Sequence, residues 1–129
     1  MTTRSRSELV DITSRVSAVV EKSGVTSGLC VICVPHTTAA VTVNESYDSD
    51  VAEDITKTLS KLVPAGAGYA HSEGNADAHI KAALVGSSAQ LIVEDSKLHL
   101  GRWQGIFFCE FDGPRQRQVN VAVLSSKGG

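Results

Sequence analysis

Apolar positions along this chain change period several times, and each change marks a short element. Leu29–Pro35 (LCVICVP) is an unbroken β-rich apolar run, the pattern of a strand buried on both faces. From Ala39 to Asn44 the pattern alternates, with Val41 and Val43 on one side and Thr42 and Asn44 on the other. That predicts a second strand with one polar face. Ala89–Glu94, Lys97–Leu100, Gly105–Asp112 and Gln118–Leu124 read as further strands, separated by the turn residues Asp95-Ser96 and Asp112-Gly113-Pro114. Residues 2–10 alternate partly, as an edge strand does, and the tail Ser125–Gly129 is expected to fray.

Helical spacing appears in three places. Val16, Val19 and Val20 share one side of a segment that Thr13 can cap and Gly24 can stop. Val51, Ile55, Leu59 and Leu62 form an apolar stripe that should be buried. Asp48, Asp50, Glu53 and Asp54 crowd its first turns, Lys57 and Lys61 its last, as the helix dipole favours, and Pro64 ends it. Asp77 is placed to cap a short helix from His79 to Val85, with Gly86 at its stop. Three helices cannot cover both faces of a parallel sheet. The expected fold is therefore α+β, a two-layer sandwich on a mixed, mainly antiparallel sheet, with residues 1–129 as one domain.

Composition changes this picture little, but it excludes some functions. A net charge of −2 gives no general attraction to nucleic acid or to anionic lipid. No run approaches the roughly 20 apolar residues of a membrane span, and Met1–Ser7 is not followed by a signal-type apolar stretch. The odd count of three cysteines suits reduced thiols, so the expected location is the cytoplasm. Cys30-x-x-Cys33 is set aside, because strand residues three apart point to opposite faces.

Candidate chemistry gathers in Tyr69–His79, a glycine-containing polar run carrying His71, Glu73, Asn75, Asp77 and His79. Imidazoles ligate zinc and related divalent ions, and neighbouring carboxylates orient them. The spacing of His71 and His79 matches no compact zinc motif, and local hydrogen bonding explains each histidine equally well. His36 ends the first apolar run, and Asn44-Glu45 ends the alternating strand. A carboxylate there suits a general base, a metal ligand or simply a solvated strand end. His99, between Leu98 and Leu100, is assigned to local hydrogen bonding. Thr37, Thr38, Lys81, Arg102, Arg115 and Arg117 offer donors for a phosphate, although ordinary surface charge is the default for the last two. Trp103, the only tryptophan, lies between glycines beside Arg102 and Gln104, where a stacking platform, a subunit contact or core packing would each use an indole.

Taken together, His36-Thr37-Thr38-Ala39-Ala40, Asn44-Glu45, His71-x-Glu73-Gly74-Asn75, Asp77-Ala78-His79-Ile80-Lys81, Leu84-x-Gly86-x-Ser88 and Gly101-x-Trp103-Gln104-Gly105-Ile106 resemble the YjbQ family (UPF0047). The resemblance runs from about Ser5 to Leu124, with Arg102 departing from the threonine many members carry there. It implies a small α+β protein that forms a homotrimer, with secondary thiamine-phosphate synthase-like activity. On that resemblance His36, His71 and His79 form the metal set, for zinc or for magnesium with a diphosphate substrate. Asn44, Glu45 and Glu73 are the catalytic candidates. Thr37, Thr38, Lys81, Trp103, Gln104 and Arg115 would meet a small phosphorylated substrate. The reaction implied joins a pyrimidine methyl diphosphate to a thiazole phosphate. The alternative is a non-catalytic trimer binding a metal or small ligand. Neither reading involves nucleic acid or membrane. The polar run from Tyr69 is expected to supply half of a site, and His36 with Asn44-Glu45 the other half.

Overall fold

The computed structural model describes residues 1–127 and divides the strands between two antiparallel sheets. In chain order the elements are β1 (Glu8–Asp11), α1 (Thr13–Ser23), β2 (Ser27–Cys33), β3 (Ala39–Glu45), α2 (Ser49–Leu62), α3 (Ala76–Val85), β4 (Ser88–Glu94), β5 (Lys97–Leu98), β6 (Gln104–Glu110) and β7 (Asn120–Ser125). One sheet has the order β1-β6-β3 and the other β5-β4-β2-β7. The α+β class is as expected. The sheet anticipated as one is two, because the chain between β2 and β3, through Pro35 to Thr38, carries it from one sheet to the other.

The strand buried on both faces is β6 rather than β2. Ile106 and Phe108 face the second sheet and join Val16, Val20, Ile32, Val41 and Val93 in the main core. Cys109 and Phe111 face the helices and meet Ala40, Ala78 and Ala82, with Leu59 packed alongside. In β2, Cys30 and Ile32 are fully buried, while Leu29 and Val31 on the other face are only half-buried. Their neighbours Ile92 and Leu124 are exposed, since no element among the described residues covers that face. Gly28 is needed where β2 meets β7, because a Cβ there would lie 1.8 Å from the Leu124 carbonyl oxygen.

Two caps differ from expectation. β1 runs straight into α1, so Ile12 holds the N-cap position. Asp11 Oδ1 accepts from the Thr13 N–H, while the Thr13 hydroxyl accepts from the Ile106 N–H at 2.8 Å. The third helix begins at Ala76 after Asn75, which leaves Asp77 inside the first turn and fully buried. The stop at Gly24 (φ 74°) is as the pattern predicts, while Asp48, expected in the first turn of α2, lies just ahead of it and caps it by accepting from the Asp50 N–H. The stripe of α2 is shallower than expected: Val51, Ile55 and Leu59 are half-buried and Leu62 is exposed. β1 spans Glu8–Asp11 and overlaps only the end of the expected 2–10, with an isolated bridge from Thr2 to Gln116 ahead of it. Of the tail expected to fray, Ser125 ends β7 and the Ser126 N–H donates to Ser27, while 128–129 lie outside the described residues.

Candidate functional site

The residues that carry chemistry fall at two opposite ends of the β3–β6 pair. Ala39 pairs with Glu110 at one end and Glu45 with Gln104 at the other. Six residue steps of strand separate them, about 20 Å at ~3.3 Å per residue.

The Glu110 end is built on buried charge. Glu110 interrupts the apolar run of β6 on its core-facing side, so its carboxylate must be paired. Arg117 donates to it through Nε at 2.9 Å and makes a second, short contact through Nη2. Arg117 Nη2 also donates to the Thr38 hydroxyl at 2.9 Å, and the Thr3 hydroxyl donates to Glu110 at 2.6 Å. Burial alone would raise the Glu110 pKa, but the bonds from Arg117 and Thr3 outweigh it and hold the carboxyl below its ordinary value. Sequence reading missed this network and left Arg117 as surface charge. The usable signal was a glutamate between Cys109 and Phe111.

A second buried set lies at the same end. Arg6 grips Asp77 through both terminal nitrogens at 3.1 and 3.2 Å, and Lys81 Nζ donates to Asp77 at 3.0 Å. Burial opposes ionisation of Asp77, yet Arg6 and Lys81 keep its pKa below the usual range. Lys81, expected to meet substrate, is 2% exposed and committed to Asp77. Thr38 is likewise committed to Arg117, whereas Thr37 is exposed. Arg115 is half-exposed and bridges Asp112, which also accepts from Asn75 Nδ2 at 2.8 Å. Asn75 Oδ1 is buried with no hydrogen-bond partner among the described residues.

His71 and His79 come together edge to face beside this set, their ring centroids 5.2 Å apart. Glu73 Oε2 lies 3.6 Å from His71 Nε2. His36 sits at the same end, where its Nε2 accepts from the Gln118 N–H at 2.9 Å. Burial and the positive Arg117 lower its pKa, against the pull of Glu110, so the ring is neutral near pH 7. With Nε2 accepting, the proton of the neutral ring is on Nδ1. Among the described residues no three His, Cys, Asp or Glu side chains form a ready-made ligand cluster.

The Glu45 end has different chemistry. Glu45 and Asp48 share a cavity of about 420 Å³ with Tyr47, Ser49 and Trp103. Tyr47 meets Trp103 in a T-shaped contact at 4.9 Å, and the Arg102 guanidinium lies 4.8 Å from the indole centroid. Tyr47 is 79% exposed and Trp103 46%. Asn44 Oδ1 turns back on the Glu45 N–H, and Gln104 Oε1 accepts from the Gly101 N–H. The expected convergence of Asn44-Glu45 with the histidines therefore does not occur within one chain, because β3 runs its full length between them.

The remaining assignments are simple. His99 Nδ1 pairs with Glu94 at 2.8 Å, a local contact as expected. Cys30 is buried and Cys33 exposed, on opposite faces, and burial pushes the Cys109 thiol up to about 12. No helix is long and apolar enough to cross a membrane among the described residues.

A family model described as UPF0047 protein YjbQ-like matches residues 1–126. A UPF0047 protein of Methanocaldococcus jannaschii is 50% identical over 125 residues, 97% of this chain and 91% of its own. YugU of Bacillus subtilis is 45% identical over 123 residues, 95% and 93% of the two chains. A crystal structure of an uncharacterised YjbQ/UPF0047 protein from Clostridium acetobutylicum superposes with a TM-score of 0.95 at 50% identity, covering 96% of each chain. A protein of unknown function from Sulfolobus solfataricus gives 0.94 at 38% identity, covering 98% of this chain and 93% of that one. Its fold and its sequence from residue 1 to 126 make this chain a member of the YjbQ-like UPF0047 family.

Proposed function

We propose that this protein is a metal-dependent condensing enzyme of thiamine-phosphate-synthase type, acting at the histidine end of the β3–β6 pair. The observation that carries the reading is the His71–His79 pair at 5.2 Å with Glu73 beside it. Imidazole and carboxylate are donor types that zinc takes, and His71, His79 and Glu73 would have to draw closer around the ion to hold it. His36 enters as a hydrogen-bond donor through Nδ1, since ligation at Nε2 would cost the bond from Gln118. Three copies of the chain, as the family resemblance implies, would form the working unit.

In the reaction, the bond between the pyrimidine methyl carbon and its diphosphate oxygen breaks. A new bond forms from that carbon to the thiazole nitrogen, and diphosphate leaves. A bound divalent ion would supply charge stabilisation for the leaving group. Arg115, half-exposed, and His36, through Nδ1–H, would hold the remaining phosphate oxygens. Thiamine phosphate formed from the two substrates by zinc- or magnesium-loaded protein, and lost in His71→Ala, is the expected result. Product equal in wild type and variant would defeat the assignment.

One observation favours the second reading, a trimer that binds a metal or small ligand without turnover. Lys81 and Arg117 are both neutralised by buried carboxylates, which leaves few cations for a diphosphate. A chelator-sensitive thermal shift that disappears in His79→Ala, with no product formed, would select it.

A further inference from the structure

We propose that the cavity between α1 and the chain entering β7 binds a small amphipathic carboxylate, and that its occupancy is felt at His36. The cavity holds about 370 Å³, a volume typical of small-molecule sites, and His71, His79 and Glu73 do not line it. Ile12 and Val16, each 2% exposed, form its floor, so the inner part of the ligand meets hydrocarbon alone. Arg15 and Gln118 are exposed and give it a polar rim.

The rim sets the charge of the ligand. Ion pairs among the described residues take up Arg6, Lys57, Lys81, Arg115 and Arg117, but not Arg15. Arg15 also lies in the first turn of α1, where the helix dipole opposes a cation and no acidic residue offsets it. A carboxylate at the rim supplies the missing partner, and a guanidinium takes it through two parallel hydrogen bonds. The other guanidinium lining the cavity, that of Arg117, is neutralised by Glu110. The site therefore offers one net positive charge, which a monoanion matches and a phosphate dianion exceeds.

One wall of the cavity is the segment that holds His36. Gln118 lines the cavity, and its N–H donates to His36 Nε2 at 2.9 Å. Its neighbour Arg117 is fixed to Thr38 on one side and Glu110 on the other. A ligand pressed against Gln118 displaces a hydrogen-bond donor of the histidine end without touching the histidine pair. The coupling holds whether or not that end carries out the synthesis proposed above.

Octanoate, with octanamide as its uncharged isostere, probes the site directly. Calorimetric titration should give one octanoate per chain and octanamide weaker by about tenfold, the ratio a charge-assisted hydrogen bond typically gives. Arg15→Gln should bring octanoate down to the level of octanamide. Val19→Asp, at a lining position 41% exposed, should abolish binding of both. Both substitutions fall on exposed positions of α1, so the circular dichroism spectrum should be unchanged. In NMR spectra octanoate should shift the His36 ring resonances. Those of His99, just after β5 at the opposite edge of the four-stranded sheet, should stay in place. Equal binding of octanoate and octanamide, or octanoate binding untouched by both substitutions, would overturn the carboxylate site. Binding with the His36 resonances unmoved would overturn the coupling. Absence of octanoate binding would overturn the whole proposal, and a lower mass of Val19→Asp by light scattering would then assign the groove to a second copy.

Discussion

Glu110 and Arg117 show how one pair can set the behaviour of a whole end of the molecule. Neither reaches solvent, and together with Thr3 and Thr38 they satisfy one another completely enough for Glu110 to stay ionised in the interior. Removing one partner leaves the other charge buried alone, which typically costs about 3–5 kcal/mol. Glu110→Gln is expected to lower stability by that order in urea unfolding at pH 7. Acid should act on the same bond. The folded protein holds Glu110 and Asp77 below the ordinary carboxylate range, so the unfolded chain binds protons first as the pH drops. The stability contributed is fully present above about pH 5 and is lost as the pH falls below about 4 and through the folded values. The wild-type unfolding midpoint should therefore fall steeply from pH 5 to 3. That of Glu110→Gln should fall less, because one of the two carboxylates no longer titrates. Parallel slopes would place the acid sensitivity elsewhere.

At the scale of elements, what could be read from the sequence was what local chemistry decides. The acidic first turns of α2 and its end at Pro64 were legible, and the turn at Asp95-Ser96 followed from residue types that tolerate the positive φ found there. Which face of each element is covered was not legible, because that depends on partners distant in sequence. Thus α2 lost its deep burial, and β2 passed its doubly buried role to β6. The separation of Asn44-Glu45 from His36 was legible by arithmetic, since six residues of strand hold two ends well apart. The Glu110–Arg117 bond was not, since Arg117 reaches β6 from the loop before β7. The same dependence on partners makes Gly28 critical: nothing in its neighbourhood of sequence requires glycine, but the Leu124 carbonyl does. Gly28→Ala should force β2 and β7 apart and lower the melting temperature by several degrees. An unchanged melting temperature would mean that the two strands separate there at no cost.

For the whole molecule, the pressing question is what covers its exposed apolar surface. Leu62 and Leu84 on the helices, Ile92 and Leu124 on the outer face of the four-stranded sheet, and Tyr47 with Trp103 at one tip are all open in a single chain. Leu62 and Leu84 stand singly and need no explanation, but paired aromatics at a concave tip do, as does the row Ile92, Leu29 and Leu124 across the outer sheet face. The sequence supplies its own reporter, because Trp103 is the only tryptophan and lies at this tip. If a second copy covers this tip, the half-exposed indole moves from water into a contact. Its emission should shift to shorter wavelength as protein concentration rises, with a midpoint matching the mass transition seen by light scattering. Emission independent of concentration in wild type would mean that no second copy covers Trp103 and that it stays in water.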